Sequence, residues 1–182
     1  MIPNGIEPEP PPPLEPALRA RLGVPDGAPL VGSLGRLTWQ KAPEVYASAC
    51  AILACEHPDA HFVLVGSGPE EATVIGQVRR SALGDRFHRL PRLEDAAAAF
   101  GELDVFALAS RFESGPYSVL EAMRAGVPVA ATVADGTCDA VVPGTTGLLV
   151  PVDDPVALAA ATAGCSAIPP SGGPSGRPDG AG

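Results

Sequence analysis

Glu113 and Glu121 stand seven residues apart in Ser110-Arg111-Phe112-Glu113-Ser114-Gly115-Pro116-Tyr117-Ser118-Val119-Leu120-Glu121-Ala122-Met123. A carboxylate accepts two hydrogen bonds at once, which suits the hydroxyls of ribose or a hexose. Glu113 falls in a loop and Glu121 in the helix that follows it. Between them, N–H groups at the helix start can receive an anion. Taken alone, the pair is explained as well by surface charge. The stretch Gly35-Arg36-Leu37-Thr38-Trp39-Gln40-Lys41 adds two cations five residues apart, directly after an apolar run. Cations placed there can neutralise a diphosphate without a metal, although solvated surface side chains explain them equally well. Gly66-Ser67-Gly68-Pro69-Glu70 is glycine-rich and opens a helix. It lacks the third glycine of the dinucleotide fingerprint and the Gly-Lys-Ser/Thr of a phosphate loop. Its glycines are expected to make a tight turn rather than touch a ligand.

These groups need a frame that brings chain-distant loops together, and the hydropathy pattern supplies one. Short apolar runs at Leu30–Leu34, His61–Gly66, Arg86–Leu90, Asp104–Leu108, Val127–Thr132 and Gly147–Val150 read as strands. Between them Val45, Ala49, Ile52 and Leu53 share one helical face, and Val74, Ile75, Val78 and Ala82 another. An Ala-rich helix is expected around Ala96–Phe100 and a further one over Tyr117–Ala125, stopped by Gly126 and Pro128. A last helix opens at Pro155, a residue suited to a first turn, and runs to Ala163. Ala134–Asp139 is read as the loop after the fifth strand. Alternating strands and helices with continuous apolar strands predict an α/β fold: a parallel sheet of about six strands with helices on both faces. Ligands of such sheets bind beyond the carboxyl ends of the strands, where the loops above lie.

The folded part is expected to cover residues 29–163. Residues 1–28 are Pro-rich, with Pro8 and Pro10–Pro13 in close succession, and read as a linker carrying a short helix around Leu14–Leu22. Residues 164–182 are dominated by Gly, Pro and Ser, which cannot bury a core, and are expected to be disordered. Apolar residues make up 46% of the chain but aromatics only 4%, so the core must be built mainly from Ala, Val and Leu. With 12 Lys and Arg against 21 Asp and Glu, the formal charge of −9 argues against a nucleic-acid partner, whose phosphates need a basic face. Cys50, Cys55, Cys138 and Cys165 form no CxxC pair and no zinc spacing, so no metal site is expected and idle thiols in a reducing compartment are. No apolar run approaches about 18 residues, and Met1-Ile2-Pro3-Asn4 does not open a signal peptide. A cytoplasmic location is expected, with peripheral placement at the inner membrane face left open.

Taken in order, the segments resemble the retaining GT-B glycosyltransferases often called family 4, or glycosyl transferases group 1. The likeness covers about residues 30–160. It rests on Gly35-Arg36-Leu37 with Gln40-Lys41, on Val65-Gly66-Ser67-Gly68-Pro69, and on Asp104-Val105 with Ser110-Arg111-Phe112-Glu113. It continues through Glu121-Ala122-Met123 with Ala125-Gly126-Val127-Pro128, and Thr146-Gly147-Leu148-Leu149-Val150. Glu113 and Glu121 fit the family's E-x7-E motif. Met1-Ile2-Pro3-Asn4-Gly5-Ile6 looks like the segment that follows the family's interdomain crossing.

The resemblance implies a Rossmann-like donor-binding domain, the C-terminal half of a GT-B fold. It further implies that Arg36 and Lys41 bind the donor diphosphate, Glu121 holds the ribose hydroxyls and Glu113 contacts the transferred sugar. Backbone amides at Tyr117, Ser118 and Val119 would help cradle the phosphates. Leu90-Pro91-Arg92-Leu93 would seat the base, largely through main-chain contacts, with Arg92 and Leu93 beside it. No cofactor is expected: the substrate is a nucleotide-diphosphate sugar, and a sugar, a lipid or a small molecule would be the acceptor. The family's acceptor-binding domain and its C-terminal crossing helices do not occur in this sequence, so transfer is expected to need a partner acceptor domain. Ala42 stands where Gly is usual and Ala109 where Pro is usual, and Asp139 stands near where Glu is frequent. The alternative readings are a non-catalytic nucleotide-sugar-binding module and a truncated, inactive fragment. A related sugar-nucleotide epimerase would draw catalytic acids from two domains. A glycosidase would need its two acids facing one another across the substrate.

Overall fold

The computed structural model describes residues 17–165, together with Ile6 and residues 12–14. Seven α-helices and six strands occur among the described residues: α1 (Leu18–Leu22), β1 (Leu30–Leu34), α2 (Pro43–Glu56), β2 (His61–Val65), α3 (Glu71–Arg80), β3 (Phe87–Leu90), α4 (Ala96–Ala99), β4 (Val105–Leu108), α5 (Tyr117–Arg124), β5 (Val129–Thr132), α6 (Asp135–Ala140), β6 (Gly147–Val150) and α7 (Pro155–Cys165). Short 3-10 turns cover Trp39–Lys41, Gly84–Arg86 and Phe100–Glu102. All strand pairings are parallel, and the sheet order is β3-β2-β1-β4-β5-β6.

Residues alternate faces along a strand, and here both faces are buried. Val31, Phe62, Leu64, Val105, Ala107 and Ala130 point into one core, where they meet Tyr46 and Leu53 of α2, Val74 of α3 and Leu158 of α7. Leu30, Leu34, Val63, Val65, Phe106, Leu108 and Val129 point into the other, with Leu18 of α1, Phe100, and Val119 and Ala122 of α5. Small side chains let the layers close: Ala107, Ala130 and Ala131 are fully buried on the central strands. Tyr46 buries its ring, and its hydroxyl lies 2.9 Å from the carbonyl of Val31 and 3.0 Å from that of Val63, which gives the one polar atom of this aromatic a partner on the sheet.

The strand reading from the sequence agrees with the structure to within two residues at each end. Three segments differ. The short helix expected around Leu14–Leu22 is α1, at Leu18–Leu22, and it packs on the domain instead of lying in a linker. Glu102 caps it, accepting from the N–H groups of Leu18 (2.6 Å) and Arg19 (2.8 Å), while Arg19 pairs with Asp104. Ala134–Asp139, read as a loop, is largely the helix α6. α7 runs two residues past Ala163, to Cys165. The remainder of the 164–182 tail, and the residues of 1–16 other than Ile6 and 12–14, lie outside the described residues.

Candidate functional site

The chain leaves β1 to build β2 and β3 on one side, then returns to place β4 against β1's other edge. Loops leaving β1 and β4 therefore diverge at their carboxyl ends and open a crevice, the usual ligand position in this architecture. A cleft of about 360 Å³ lies there. Leu34 and Gly35 line it from the end of β1, and Lys41 from the turn that follows. Glu113, Gly115 and Pro116 line it from the loop after β4, Tyr117, Ser118 and Glu121 from α5, and Ala96 and Phe100 from the segment after β3.

Two tethers fix the β1 loop. Gly35 donates its N–H to the Val65 carbonyl (2.9 Å), Leu37 donates to the carbonyl of Ser67 (2.9 Å), and Glu70 donates back to that of Leu37 (3.0 Å). Such close backbone approach explains Gly66: at φ +147°, a Cβ on it would stand 1.8 Å from the Gly35 carbonyl oxygen. The glycine-rich loop thus seats the β1 loop rather than a ligand. The second tether joins that loop to the one after β4. The N–H of Arg111 donates to the carbonyl of Gln40 (2.8 Å), and the Gln40 amide donates to that of Phe112 (2.9 Å).

Held this way, Lys41 reaches the buried carboxylate of Glu113, with Nζ 2.5 Å from Oε1. The Ser110 hydroxyl donates to the same oxygen (2.5 Å), and Thr132 in turn donates its hydroxyl to the Ser110 carbonyl. Glu113 thus stands at the cleft wall with its Oε1 committed to Lys41 and Ser110. The N–H of Gly136 in α6 donates to the Glu113 carbonyl (2.8 Å). A Cβ on Gly136 would lie 2.4 Å from the backbone nitrogen of Gly115, so α6 presses directly on the Glu113 loop. α5 begins with Pro116 as its N-cap and no side-chain cap, and its first turn opens onto the cleft. Glu121 is half-buried. Burial raises its carboxyl above the ordinary value, and Arg124 opposes the shift.

Lys41, Glu113, Tyr117, Ser118 and Glu121 from the sequence-based set therefore share one cleft. Val119 lies in the same turn, but its side chain is fully buried in the core, which leaves only its backbone for a ligand. Arg36 is exposed and lines a small adjoining hollow, with Leu34, Gly35 and Lys41 as shared walls, rather than the cleft itself. Arg92 and Leu93 are not among the lining residues: Arg92 is exposed, and Leu93 is buried in the core beside Phe100. The buried Leu93 side chain leaves only its backbone for a base. Ala96 and Phe100 bring that segment to the cleft instead. The sequence signal for them was their position just after the third strand. Among the described residues, no group of three or more His, Cys, Asp or Glu side chains could hold a metal ion, and no helix is long and apolar enough to cross a membrane.

A doubly wound α/β sheet with a charged cleft at its switch point is the architecture of GT-B glycosyltransferase domains. Residues 28–166 match the family described as Glycosyl transferases group 1, and the chain belongs to that family. It is 35% identical over 148 residues to a 2-deoxystreptamine glucosyltransferase of Streptomyces kanamyceticus, covering 78% of this chain and 38% of that protein. It is 38% identical over 142 residues to a GDP-mannose-dependent alpha-mannosyltransferase of Mycolicibacterium smegmatis, covering 73% and 33%. Among solved structures, Anabaena Alr3699/HepE in complex with UDP-glucose superposes with a TM-score of 0.74 at 28% identity, covering 81% of this chain and 41% of that one. The C-terminal domain of a Francisella tularensis glycosyl transferase group 1 protein, LpcC, shares the fold at a TM-score of 0.70 and 22% identity, covering 86% and 85%. The chain thus spans roughly a third to two fifths of the length of these two curated relatives.

Proposed function

We propose that this chain is the donor-binding domain of a retaining hexosyltransferase, which holds a nucleoside-diphosphate sugar while an acceptor-binding domain presents the acceptor. The observation that carries the reading is the convergence of Lys41, Glu113, Glu121 and the start of α5 on one cleft at the β1/β4 switch point. The solved relative bound to UDP-glucose supports it. Among the relatives, HepE is solved with UDP-glucose and the Mycolicibacterium smegmatis protein is GDP-mannose-dependent.

In this reading the diphosphate lies between Lys41 and the amides of the first turn of α5, with Arg36 reaching over from the adjoining hollow. The bond between the anomeric carbon and the β-phosphate oxygen breaks, and its electron pair leaves with the nucleoside diphosphate. Preorganised cations and helix amides stabilise that charge as it develops, without calling on a metal. The acceptor oxygen bonds to the anomeric carbon on the face the phosphate leaves and passes its proton to the departing phosphate oxygen, so the anomeric configuration is retained. Glu113 accepts a hydrogen bond from a hydroxyl of the transferred sugar, and Glu121 accepts from the ribose hydroxyls. Glu113 is not given the role of a covalent nucleophile. A cytoplasmic location goes with this reading, at the inner membrane face where the acceptor is a lipid.

Calorimetric titration of the chain with UDP, GDP and ADP, and with sugar conjugates of each, tests the proposal. Lys41→Ala should weaken every diphosphate. Glu121→Ala should weaken nucleotides more than it weakens pyrophosphate. Equal and negligible losses for both variants would remove the site assignment.

A further inference from the structure

We propose that Arg111 is the positioning residue of this site: by gripping the Trp39–Lys41 turn from behind, it aims the Lys41 ammonium into the cleft. This inference rests on the reading of the cleft as a diphosphate site. Arg111 does not line the cleft. Its guanidinium donates Nη1 to the Trp39 carbonyl at 2.7 Å, and Nη2 lies 2.7 Å from both Glu44 Oε1 and Asp153 Oδ1. The guanidinium carbon also stacks over the Trp39 ring, 5.0 Å from its centroid. One side chain therefore joins the turn that carries Lys41, the first turn of α2 and the loop after β6. The planar guanidinium serves these acceptors from two separate nitrogens while its face lies over the Trp39 ring, a combination a compact ammonium does not offer.

The backbone gives an independent reason why the turn needs holding. Ala42, the residue after Lys41, adopts the left-handed conformation at φ +46° and ψ +53°, and is fully buried. A non-glycine residue persists there only where surrounding contacts over-determine it. Arg111 supplies two of those contacts, through its own N–H to Gln40 and its side chain to Trp39. Without them the turn can relax at Ala42, and Lys41 loses its fixed approach to Glu113 although neither residue of the pair has been changed.

A double-mutant cycle on the full chain tests this, read both by unfolding and by titration with UDP and GDP. Arg111→Gln and Lys41→Met should each weaken nucleotide binding about ten- to hundredfold, and the double variant should bind no worse than Lys41→Met alone. Asp153→Asn removes one exposed anchor with little risk to folding, and it should give a smaller loss that also vanishes in the Lys41→Met background. Multiplying losses in the double variants would overturn the proposal, because they would show Arg111 acting on the fold at large. The unfolding arm needs no nucleotide. Coupling between Arg111 and Lys41 there, in a chain that binds no nucleotide, would leave Arg111's positioning role standing and sink the diphosphate reading alone. Additive stability losses would sink the positioning role itself.

Discussion

Replacing Glu113 with Gln keeps the shape of the side chain and removes its charge, which separates the two tasks assigned to it. The Glu113 side chain is only 5% exposed, and its Oε1 takes both Lys41 Nζ and the Ser110 hydroxyl at 2.5 Å. Removing one partner of a fully buried pair costs about 3–5 kcal/mol. Lys41, however, keeps 21% of its side-chain surface in solvent and can turn toward water. The expected loss is therefore about 1–2 kcal/mol, or a fall in melting temperature of roughly 2–8 °C for a chain of this size. Binding should move differently. A sugar hydroxyl loses a charged acceptor, worth about 1.5–3 kcal/mol, so the sugar nucleotide should weaken by about ten- to 150-fold. The bare nucleoside diphosphate should hold or improve, because Lys41 is no longer neutralised. Thermal unfolding and parallel titrations with UDP and UDP-glucose, or GDP and GDP-mannose, read both effects. Equal losses for the bare and sugar-bearing nucleotide would refute the assignment of the Glu113 carboxylate to the sugar, and an unchanged melting temperature would refute the structural role of the pair.

Other perturbations bear on other parts of the reasoning. Burial raises the Glu121 carboxyl, so its neutral form is favoured in the folded chain, and stability present below the ordinary carboxyl value is lost as pH rises through the raised one. Glu121→Gln should accordingly be more stable than the natural chain at pH 7, with the gap closing in acid; a gap that does not change with pH in denaturant titrations would contradict this. His61 on β2 and His88 on β3 stack with ring nitrogens 3.0 Å apart, and burial lowers both. Their contribution is present above pH 6.5 and is lost as pH falls through the lowered values, so His61→Gln should flatten the acid limb of the stability curve. Gly66→Ala would drive a methyl into the Gly35 carbonyl at a φ that favours glycine, and should cost more than about 3 kcal/mol in chemical denaturation. Arg36 is exposed and Lys41 only half so, hence the affinity lost in Arg36→Gln should shrink as salt rises while that lost in Lys41→Met persists. Identical salt dependence would mean that the two cations play the same part.

The sheet was legible because its strands are buried on both faces and stand out as unbroken apolar runs between turn residues. Where the fold escaped the sequence, the stabilising partner lies far along the chain. The helix α1 was expected, but not its docking: Ala17 offers no capping side chain, and the cap is Glu102, more than eighty residues away. α6 spells Asp-Gly-Thr-Cys-Asp-Ala, a poor helix former by propensity. Its glycine is demanded by the Gly115 backbone, so the feature that hides the helix from propensity is the one that lets it dock.

For the site, the chemistry-bearing residues were visible as types, and the groups that aim them were not. Ala42, which stands where Gly is usual in the family the chain resembles, directly follows Lys41 at the cleft and sits in the conformation a glycine would adopt without strain. Arg111 could be seen only as a member of a motif, since its partners Trp39, Glu44 and Asp153 come from three separate stretches of chain. These two features explain each other. A family that keeps glycine after the lysine needs little force to hold the turn, whereas alanine there requires the turn to be clamped, and the Arg111 fork supplies a clamp. Restoring glycine at position 42 should therefore make Lys41 less dependent on Arg111, a relation that neither residue discloses when read alone.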